Sequence, residues 1–441
     1  MAGIVVCLGL IAGVLGLVPT TMTFEERWQY LLSFSDTLYG VNVTWSPYSG
    51  FGFKVLHDLK QGDCVVKLPL RYSVTSADVY TLSNYITSDF NEMEKLAIRV
   101  AYEKFMKKRD HYAKQYVDSL PVEPFHMVQY WNPEDLALFE RHTIVMLDYN
   151  SVRKYNITEL HAKVVKVLGK VPGVPKEVLD VEVVEWAMGI VMSRSYHLTD
   201  ENMKKAVNHP GVEQSILALF PILDIINHYP IPVEQKSTQP TIFSIDPGLI
   251  SNLCSLAQFS QKKGHEYFGS YGDKSNYELI SMYGFALETN PDDTVEIGLP
   301  LTPYCTGNTQ ISGRCFYATK AHKVSVPLLL DLIASLAHYQ FNSEVTFDMV
   351  ISHIREIPAR QKARKLSMMA LKVYRNMVLM SINQTPLRVL RKLKKDCVNY
   401  RCELVHTVLI GQRVARYLHT ERVDRKLLGL LAQDLDIFLP S

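Results

Sequence analysis

The sequence predicts an α+β protein in which two regions of short strands enclose a helical insert and an all-α region follows. Residues 41–69 and 216–300 alternate apolar with polar or glycine positions between turn signals, which is typical of short strands. Residues 76–200 and 320–441 instead carry apolar side chains at helical spacing. With 441 residues, the chain is long enough for two or three domains.

Residues 1–21 are predicted to be an apolar N-terminal extension or a signal peptide. Residues 4–18 are almost wholly Ile, Val, Leu, Gly and Ala, about the length of a signal-peptide apolar region and short for a bilayer span. Residues 1–3 lack the Lys or Arg that usually precedes such a region, so both interpretations stay open. No other stretch approaches ~20 apolar residues, which argues against a multi-span membrane protein.

Residues 22–300 are predicted to form one domain, which carries the helical insert at about 76–200. After a short helix at 24–34, we expect two antiparallel strands within 41–69, joined by the turn signal Gln61-Gly62-Asp63. The segment Ser49-Gly50-Phe51-Gly52 is predicted to be a loop at the sheet edge that exposes its backbone.

The apolar periodicity places helices both in the insert and after the second strand region. Prolines at 172 and 175 separate the last two helices of the insert. The predicted helices are 92–109, 135–147, 152–168, 182–194, 366–380, 403–418 and 427–438. The predicted strands of the second region are 241–245, 252–259, 267–271 and 294–299.

The charge balance argues against a polyanionic partner. Because the net charge is only +2, nothing attracts the whole chain to nucleic acid or to a membrane surface. The basic run at 388–395 lacks the interleaved aromatic residues of a nucleic-acid binder. A solvated helix face is its simpler interpretation, and docking of an acidic substrate is the alternative.

The cysteines leave the compartment open. Four of the seven cysteines form two pairs that are close in sequence. Each pair would close a small disulfide loop in a secreted chain, or remain as buried thiols in a cytosolic one. These pairs are Cys305 with Cys315 and Cys397 with Cys402. Three glycosylation sequons, at Asn42, Asn156 and Asn383, depend on secretion in the same way.

Two stretches of the second strand region are predicted to meet at a binding site. The first is the apolar run from Leu219 to Asp224 that ends in Asn227-His228, and the second runs from Gly264 to Gly272 around Tyr271. Both are rich in side chains that orient a ligand and poor in strong acids, which favours binding of a small polar cofactor over hydrolysis.

These stretches and the order of elements resemble the SET-domain protein methyltransferases, in the branch similar to the RuBisCO large-subunit methyltransferase. The matching motifs are Ser49-Gly50-Phe51-Gly52, the Pro/Trp segment of 120–131, Trp186, Ser193-Arg194-Ser195-Tyr196, Asp224 to His228, Gly264-His-Glu266, Ser270-Tyr271-Gly272, Ser275-Asn276 and Tyr283-Gly284-Phe285. The resemblance implies a SET-domain β-fold with a knot-like crossing and inserted helices. It also implies that 320–441 is an all-α substrate-binding domain.

The resemblance further implies that the cofactor is S-adenosylmethionine. Its binding residues would be Gly50, Phe51 and Gly52 through backbone groups, Arg194 through the cofactor carboxylate, and Asn227, His228 and Tyr271. One position departs from the family, which commonly has Glu before this first glycine. Here Ser49 removes a charged contact to the cofactor's amino group.

Methyl transfer to an amine is an in-line displacement that needs alignment and no metal ion. Tyr271 is the predicted catalytic residue that orients the incoming amine, and Tyr283 is predicted to line the substrate channel. Simple core packing is the competing interpretation for both tyrosines.

The predicted function is therefore protein-lysine N-methylation of a histone or non-histone substrate by a monomer. A protein-histidine N-methyltransferase and a non-catalytic SET-fold binding module are the alternatives. The predicted partner is a protein substrate, with no nucleic acid and no membrane beyond a possible N-terminal signal or anchor. The sequence leaves the location open between the secretory pathway and the cytoplasm or nucleus.

Overall fold

The computed structural model describes most of the predicted strand regions and part of the helical ones. The described residues are 22–47, 49–77, 82, 85–86, 89–105, 112–122, 127–142, 157–198, 216–235, 243–245, 252–297, 316–319, 387–397 and 400–410.

Strands and helices follow each other in the predicted α+β order. The strands are β1 (Val41–Ser46), β2 (Gly50–Val55), β3 (Cys64–Pro69), β4 (Val74–Thr75), β5 (Tyr196–Leu198), β6 (Ile216–Leu219), β7 (Asn227–His228), β8 (Phe243–Ile245), β9 (Asn252–Leu256), β10 (Glu266–Gly269), β11 (Thr294–Ile297) and β12 (Phe316–Thr319). The helices are α1 (Phe24–Leu32), α2 (Glu92–Phe105), α3 (Tyr112–Ser119), α4 (Pro133–His142), α5 (Ile157–Leu168), α6 (Val181–Arg194), α7 (Asn276–Met282), α8 (Leu387–Asp396) and α9 (400–410).

The described residues divide into two compact units. One contains those up to 125 together with those of 155–272, and the other contains those of 126–154 together with those from 273 onward. The predicted domain limits of 1–21, 22–300 and 320–441 stay a prediction.

A four-stranded sheet in the first unit has the order β1-β2-β10-β7. Strands β1 and β2 form an antiparallel hairpin in which Ser46 pairs with Gly50. Gly50 ends this short hairpin loop with a φ of 72°. Glycine adopts such a left-handed conformation without steric strain. The predicted edge loop at 49–52 was therefore wrong in part, since Gly50–Gly52 belong to strand β2.

Strand β3 does not pair with the hairpin, which corrects the prediction of two antiparallel strands within 41–69. It joins a second sheet of order β3-β9-β8, and a third sheet has the order β4-β6-β5. Alternating apolar residues specify a face to bury, and they do not specify which strand pairs with which. A disulfide between Cys64 and Cys254 also links β3 to β9, with Cα atoms 5.8 Å apart.

Strand β10 lies between two strands that precede it in the chain, β2 and β7. It pairs antiparallel with β2 and parallel with β7. The predicted knot-like crossing requires a strand that follows in the chain to lie between two earlier strands, as β10 does. The threading of the chain itself stays a prediction.

Two apolar cores hold the first unit together. One lies under the sheets and includes Phe53, Phe220 and Tyr267. The other joins the insert helices α2, α3, α5 and α6 to the third sheet, and its largest member is Trp186. The indole N–H of Trp186 donates to the carbonyl of Pro121 at 2.9 Å, so the ring is fixed as well as buried.

The second unit contains a buried polar cluster around the start of α7. Ser275 caps this helix, with Glu278 completing a capping box. Asn276 is fully buried and bonds Asp293, Asn290 and the backbone of Leu287. A Cys397–Cys402 disulfide follows α8, so this predicted pair forms a small loop.

Most predicted helices and strands are present with shifted ends. The prediction of 182–194 matches α6 closely, and 252–259 and 267–271 shorten to β9 and β10. The predicted helices at 366–380 and 427–438, and the pair Cys305 and Cys315, lie outside the described residues. No helix within the described ranges combines the length and apolar character that crossing a membrane would need.

The insert helices bury several cationic side chains, among them Lys104 of α2, whose residue surface is 2% exposed. Its Nζ lies 5.3 Å from the ring centroid of Trp186. Burial lowers the pKa of Lys104 to about 8, although the Asp118 carboxylate opposes the shift. Since desolvation disfavours the ammonium form, the folded state binds this proton less tightly than the unfolded state.

We therefore expect the free energy of unfolding to rise with pH between about 8 and 10.5, where only the unfolded state keeps the Lys104 proton. Lys104→Met should remove this rise and add up to about 3 kcal/mol of stability at neutral pH. Denaturant unfolding at several pH values measures the free energy of unfolding. The matched control is Lys54→Met, which replaces an exposed lysine on β2. Parallel pH profiles for wild type and Lys104→Met would contradict the prediction.

Candidate functional site

The pairing of β7 with β10 brings the two predicted stretches together. Asn227 lies opposite Phe268, and His228 lies opposite Gly269, in parallel register. The chain reaches β7 through a turn at Leu223–Ile225, preceded by Ile222 with a φ of 67°. A positive φ at a β-branched residue is strained, and the complete burial of Ile222 helps to hold it in place.

Tyr271 is anchored to the first stretch at both its backbone and its side chain. Its hydroxyl donates to the carbonyl of Ile226 at 2.7 Å, and its backbone N–H donates to Nδ1 of His228 at 3.0 Å. The two rings also pack together, with centroids 4.9 Å apart. Because Nδ1 accepts this bond, a neutral His228 carries its proton on Nε2. The phenol therefore has a fixed position next to the end of the apolar run.

Asn227 links the β1–β2 hairpin to β10 through its side-chain amide. Nδ2 donates to Oε1 of Glu266 at 2.7 Å and to the carbonyls of Ser49 and Phe51 at 3.3 Å each. The other carboxylate oxygen of Glu266 accepts from the hydroxyl of Ser49 at 3.1 Å. Within the described residues, Oδ1 of Asn227 accepts no hydrogen bond.

Gly52 leaves the space that this network occupies. A Cβ at Gly52 would lie 2.9 Å from Oε1 of Glu266 and 3.1 Å from Nδ2 of Asn227. At Gly50, by contrast, a Cβ would meet no atom within 4 Å. Glycine is favoured there because the backbone has a left-handed conformation. In the predicted cofactor segment, glycine is thus required for space at position 52 and favoured for its backbone conformation at position 50.

Arg194 has an internal partner that the sequence prediction did not include. Its Nη1 donates to the carboxylate of Asp224 at 3.1 Å and to the Asp224 carbonyl at 2.9 Å. Its Nε is buried and has no hydrogen-bond partner within the described part of the chain. Only Nη1 of this guanidinium is shown engaged among the described residues, at the end of α6, and Nε keeps an unsatisfied donor.

Arg27 of α1 is a second cation in the same cluster. Burial and the nearby Arg194 guanidinium lower the pKa of Arg27 to about 10, against the opposing pull of Asp224. Its Nε is also buried without a partner among the described residues. Asp224 is ion-paired with Arg194 and also attracts Arg27, so one carboxylate faces two guanidinium groups and the cluster keeps a net positive charge.

Phe51 connects the two polar clusters. Its carbonyl accepts from Asn227, while the guanidinium of Arg27 lies 4.8 Å from its ring centroid. The ring also packs on Phe24 and Trp28 of α1. The predicted residues Phe51, Gly52, Asn227, His228 and Tyr271 are therefore neighbours in one region, with Arg194 in the adjoining cluster.

Tyr283 belongs to the second unit. It ends α7 by donating its backbone N–H to Leu279, and its ring lies 6.2 Å from that of Phe285. Burial, reinforced by the Glu278 carboxylate, raises the pKa of Tyr283 to about 12. The hydroxyl is therefore protonated at neutral pH, and the predicted role in a substrate channel stays a prediction.

Three residues of these clusters had no role in the sequence prediction: Glu266, Asp224 and Arg27. Glu266 and Asp224 stand inside matched motifs, but nothing in a motif shows that a carboxylate will face Ser49 or Arg194. Arg27 lies on a short helix about 170 residues before Arg194, and no local pattern connects them. Within the described ranges, no group of His, Cys, Asp and Glu could hold a metal ion.

No protein-family model matches the chain. Among curated proteins, it is 33% identical over 90 residues to the ribosomal lysine N-methyltransferase set10 of Schizosaccharomyces pombe, which is 20% of this chain and 15% of that protein. It is 32% identical over 119 residues to the N-lysine methyltransferase SETD6 of Bos taurus, 26% of this chain and 22% of that protein. The matched segments thus cover under a quarter of these relatives' length.

Solved structures match nearly the whole chain. The SET domain of LSMT bound to lysine and AdoHcy superposes with a TM-score of 0.65 at 16% identity, covering 93% of each chain. Rubisco LSMT bound to AdoMet gives a TM-score of 0.62 at 17% identity, over 95% of this chain and 97% of that one. At such low identity the likeness establishes the fold.

The close approach at Gly52 predicts an energetic coupling with Glu266. Gly52→Ala should cost about 1–2 kcal/mol of stability, because the new Cβ displaces the carboxylate from Asn227 and Ser49. In a Glu266→Ala background the same substitution should cost less, since the displaced group is absent. Chemical denaturation of the four proteins gives the double-mutant cycle. Strictly additive costs would show that the two residues do not compete for this space.

Proposed function

We propose that this chain, which has the fold of the LSMT-type SET domains, is an S-adenosylmethionine-dependent protein-lysine N-methyltransferase. The observation that carries the proposal is the anchored phenol of Tyr271, fixed by Ile226 and His228 beside the Asn227 network. The names of the curated relatives, both lysine N-methyltransferases, favour lysine over histidine as the acceptor.

The ammonium group of the cofactor would be held by the network around Glu266. Ser49 carries no charge, but the Glu266 carboxylate lies within hydrogen-bond distance of the Ser49 hydroxyl. Oδ1 of Asn227, which accepts no hydrogen bond from the described residues, adds a neutral acceptor next to it. A carboxylate with a nearby amide oxygen suits an ammonium group, because the hydrogen bonds are charge-assisted. Ser49, which would have favoured a non-catalytic binding module, is thus no obstacle to cofactor binding.

The carboxylate group of the cofactor would be held by the cluster of Arg194 and Arg27. These two cations are balanced by one anion, Asp224, and each keeps a buried Nε–H without a partner in the described residues. A buried donor without an acceptor costs free energy, so an arriving anion gains both the hydrogen bond and the charge. Phe51 lies between the two clusters, as a bound amino acid moiety with both charges would require.

The cofactor supplies a methyl group on a sulfonium, which an amine lone pair displaces as the carbon–sulfur bond breaks. Tyr271 would orient the amine: its proton is committed to the carbonyl of Ile226, and a phenol oxygen can also act as a hydrogen-bond acceptor. Holding the amine, the methyl group and the sulfonium in line can contribute about 7–11 kcal/mol of the barrier reduction.

The substrate lysine must reach this position without its proton. Its free pKa is about 10.4, and an apolar channel lowers that value because desolvation penalises the ammonium form. The substrate is a protein. Its identity, and the monomeric state of the enzyme, stay predictions.

Methyl transfer from labelled cofactor to the proteins of a cell lysate tests the function. We expect label on lysine, located by mass spectrometry of modified peptides. Tyr271→Phe keeps the ring against His228 and removes the hydroxyl, so turnover should fall about 10²-fold or more while cofactor affinity is unchanged.

Tyr267→Phe is the matched control, because it removes a hydroxyl from a buried tyrosine of the core on the same segment. It should leave turnover intact. Equal losses of turnover and cofactor affinity in Tyr271→Phe would point to a packing role for Tyr271. A folded wild-type protein that transfers no label would contradict the proposed function.

Glu266→Gln should weaken binding of S-adenosylhomocysteine about tenfold, because it removes the charge and keeps the shape. Calorimetry measures the dissociation constant, and an analogue without the amino group should bind wild type and variant equally. Ser49→Glu in the Glu266→Gln background should restore affinity, since it returns a carboxylate to the same place. Unchanged affinity in Glu266→Gln would exclude this residue from the cofactor site.

A further inference from the structure

The sequon Asn42-Val43-Thr44 lies on β1 with its asparagine facing solvent. Val41 is 1% exposed and Val43 is 9% exposed, so the two neighbours of Asn42 point into the core while Asn42 points outward. Its side-chain amide makes no hydrogen bond within the described residues. A large group attached to this amide would therefore displace no core residue and break no internal bond.

Strand β1 is also the edge of its sheet, since the order is β1-β2-β10-β7. Among the described strands it pairs only with β2, where Asn42 lies opposite the exposed Lys54. A bulky, hydrated group on an edge strand prevents that edge from pairing with another chain. The modification is thus compatible with this position and has a structural benefit there.

The cysteine pairs indicate an oxidising environment by an independent route. Cys64 is bonded to Cys254 across β3 and β9, and Cys397 is bonded to Cys402 after α8. Their Cα separations of 5.8 and 5.4 Å lie within the range of disulfides. Each unit contains one of them. Structural disulfides persist in secreted and lumenal proteins and are rare where glutathione keeps thiols reduced.

We propose that the chain is a glycoprotein folded in an oxidising secretory compartment, with an N-linked oligosaccharide on Asn42. The donor is an oligosaccharide carried on a lipid pyrophosphate. Nδ2 of Asn42 forms the bond to the anomeric carbon of the sugar and loses one proton, while the bond from that carbon to the pyrophosphate oxygen breaks. Thr44 supplies the hydroxyl that the acceptor sequence requires.

The apolar run at 4–18 provides the route into this compartment. Its length fits the apolar region of a signal peptide, and both a glycan on the sequon and lasting disulfides depend on entry into the secretory pathway. This inference does not depend on the proposed catalytic activity, and either can fail without the other.

The test is expression of the full chain, with its own N-terminus, in cultured eukaryotic cells. Glycosidase treatment that converts a glycosylated asparagine to aspartate should raise the mass of the peptide containing Asn42 by the corresponding amount. The same digest, run without reduction, should contain the Cys64–Cys254 and Cys397–Cys402 peptides as linked pairs.

Thr44→Ala and Thr44→Ser form the matched pair of variants, because both keep Asn42. Thr44→Ala should abolish the modification at Asn42, and Thr44→Ser should retain it. Since the readout is the mass of one peptide from denatured protein, it does not require the variant to fold. An unmodified Asn42 in the wild-type chain overturns the proposal, and so do free thiols at both cysteine pairs.

Discussion

The parallel pairing of β7 with β10 is the interaction on which the candidate site depends. It brings Ile226 and Tyr271, 45 positions apart in sequence, within one hydrogen bond of each other. Because side chains alternate across a strand, a shift of one residue would turn Asn227 away from Glu266 and the hairpin. The register is held from both sides: His228 accepts from the backbone of Tyr271, and Asn227 bonds the loop before β2. The strained Ile222 sets the direction in which the chain enters this pairing.

Charge in this region is distributed in a way that single motifs do not reveal. A carboxylate is present beside Ser49, but it comes from Glu266 on another strand. The guanidinium of Arg194 is ion-paired with Asp224, and Arg27 from the first helix lies in the same field of charges. The charged groups of this region are therefore assembled from four separate segments: α1, the end of α6, the turn before β7, and β10. Gly52 is necessary to this assembly because any side chain there would occupy the same space as Glu266.

The features that depend on local sequence could be predicted, and those that depend on pairing between distant segments could not. The apolar face of α6 specifies its helix almost to the residue, and the turn signals limit β9 and β10 well. The same alternation in β3 was assigned to the wrong partner, since alternation carries no information about the strand that will lie beside it. The positions of Asn227, His228 and Tyr271 followed from their order in a family pattern. The contacts of Glu266 and Arg27 did not, because each is made with a residue far away in sequence.

The disulfide between Cys64 and Cys254 closes a loop of 190 residues, and the whole helical insert lies inside that loop. Such a closure removes about 5 kcal/mol of chain entropy from the unfolded state in the loop-entropy model. The same loop contains β4 to β8, including Asn227 and His228 of β7, so this constraint is not confined to the helices. When part of the loop opens locally, β3 and β9 stay covalently joined. The disulfide therefore limits how far the two ends of this long segment can separate, whichever part of it is unfolded.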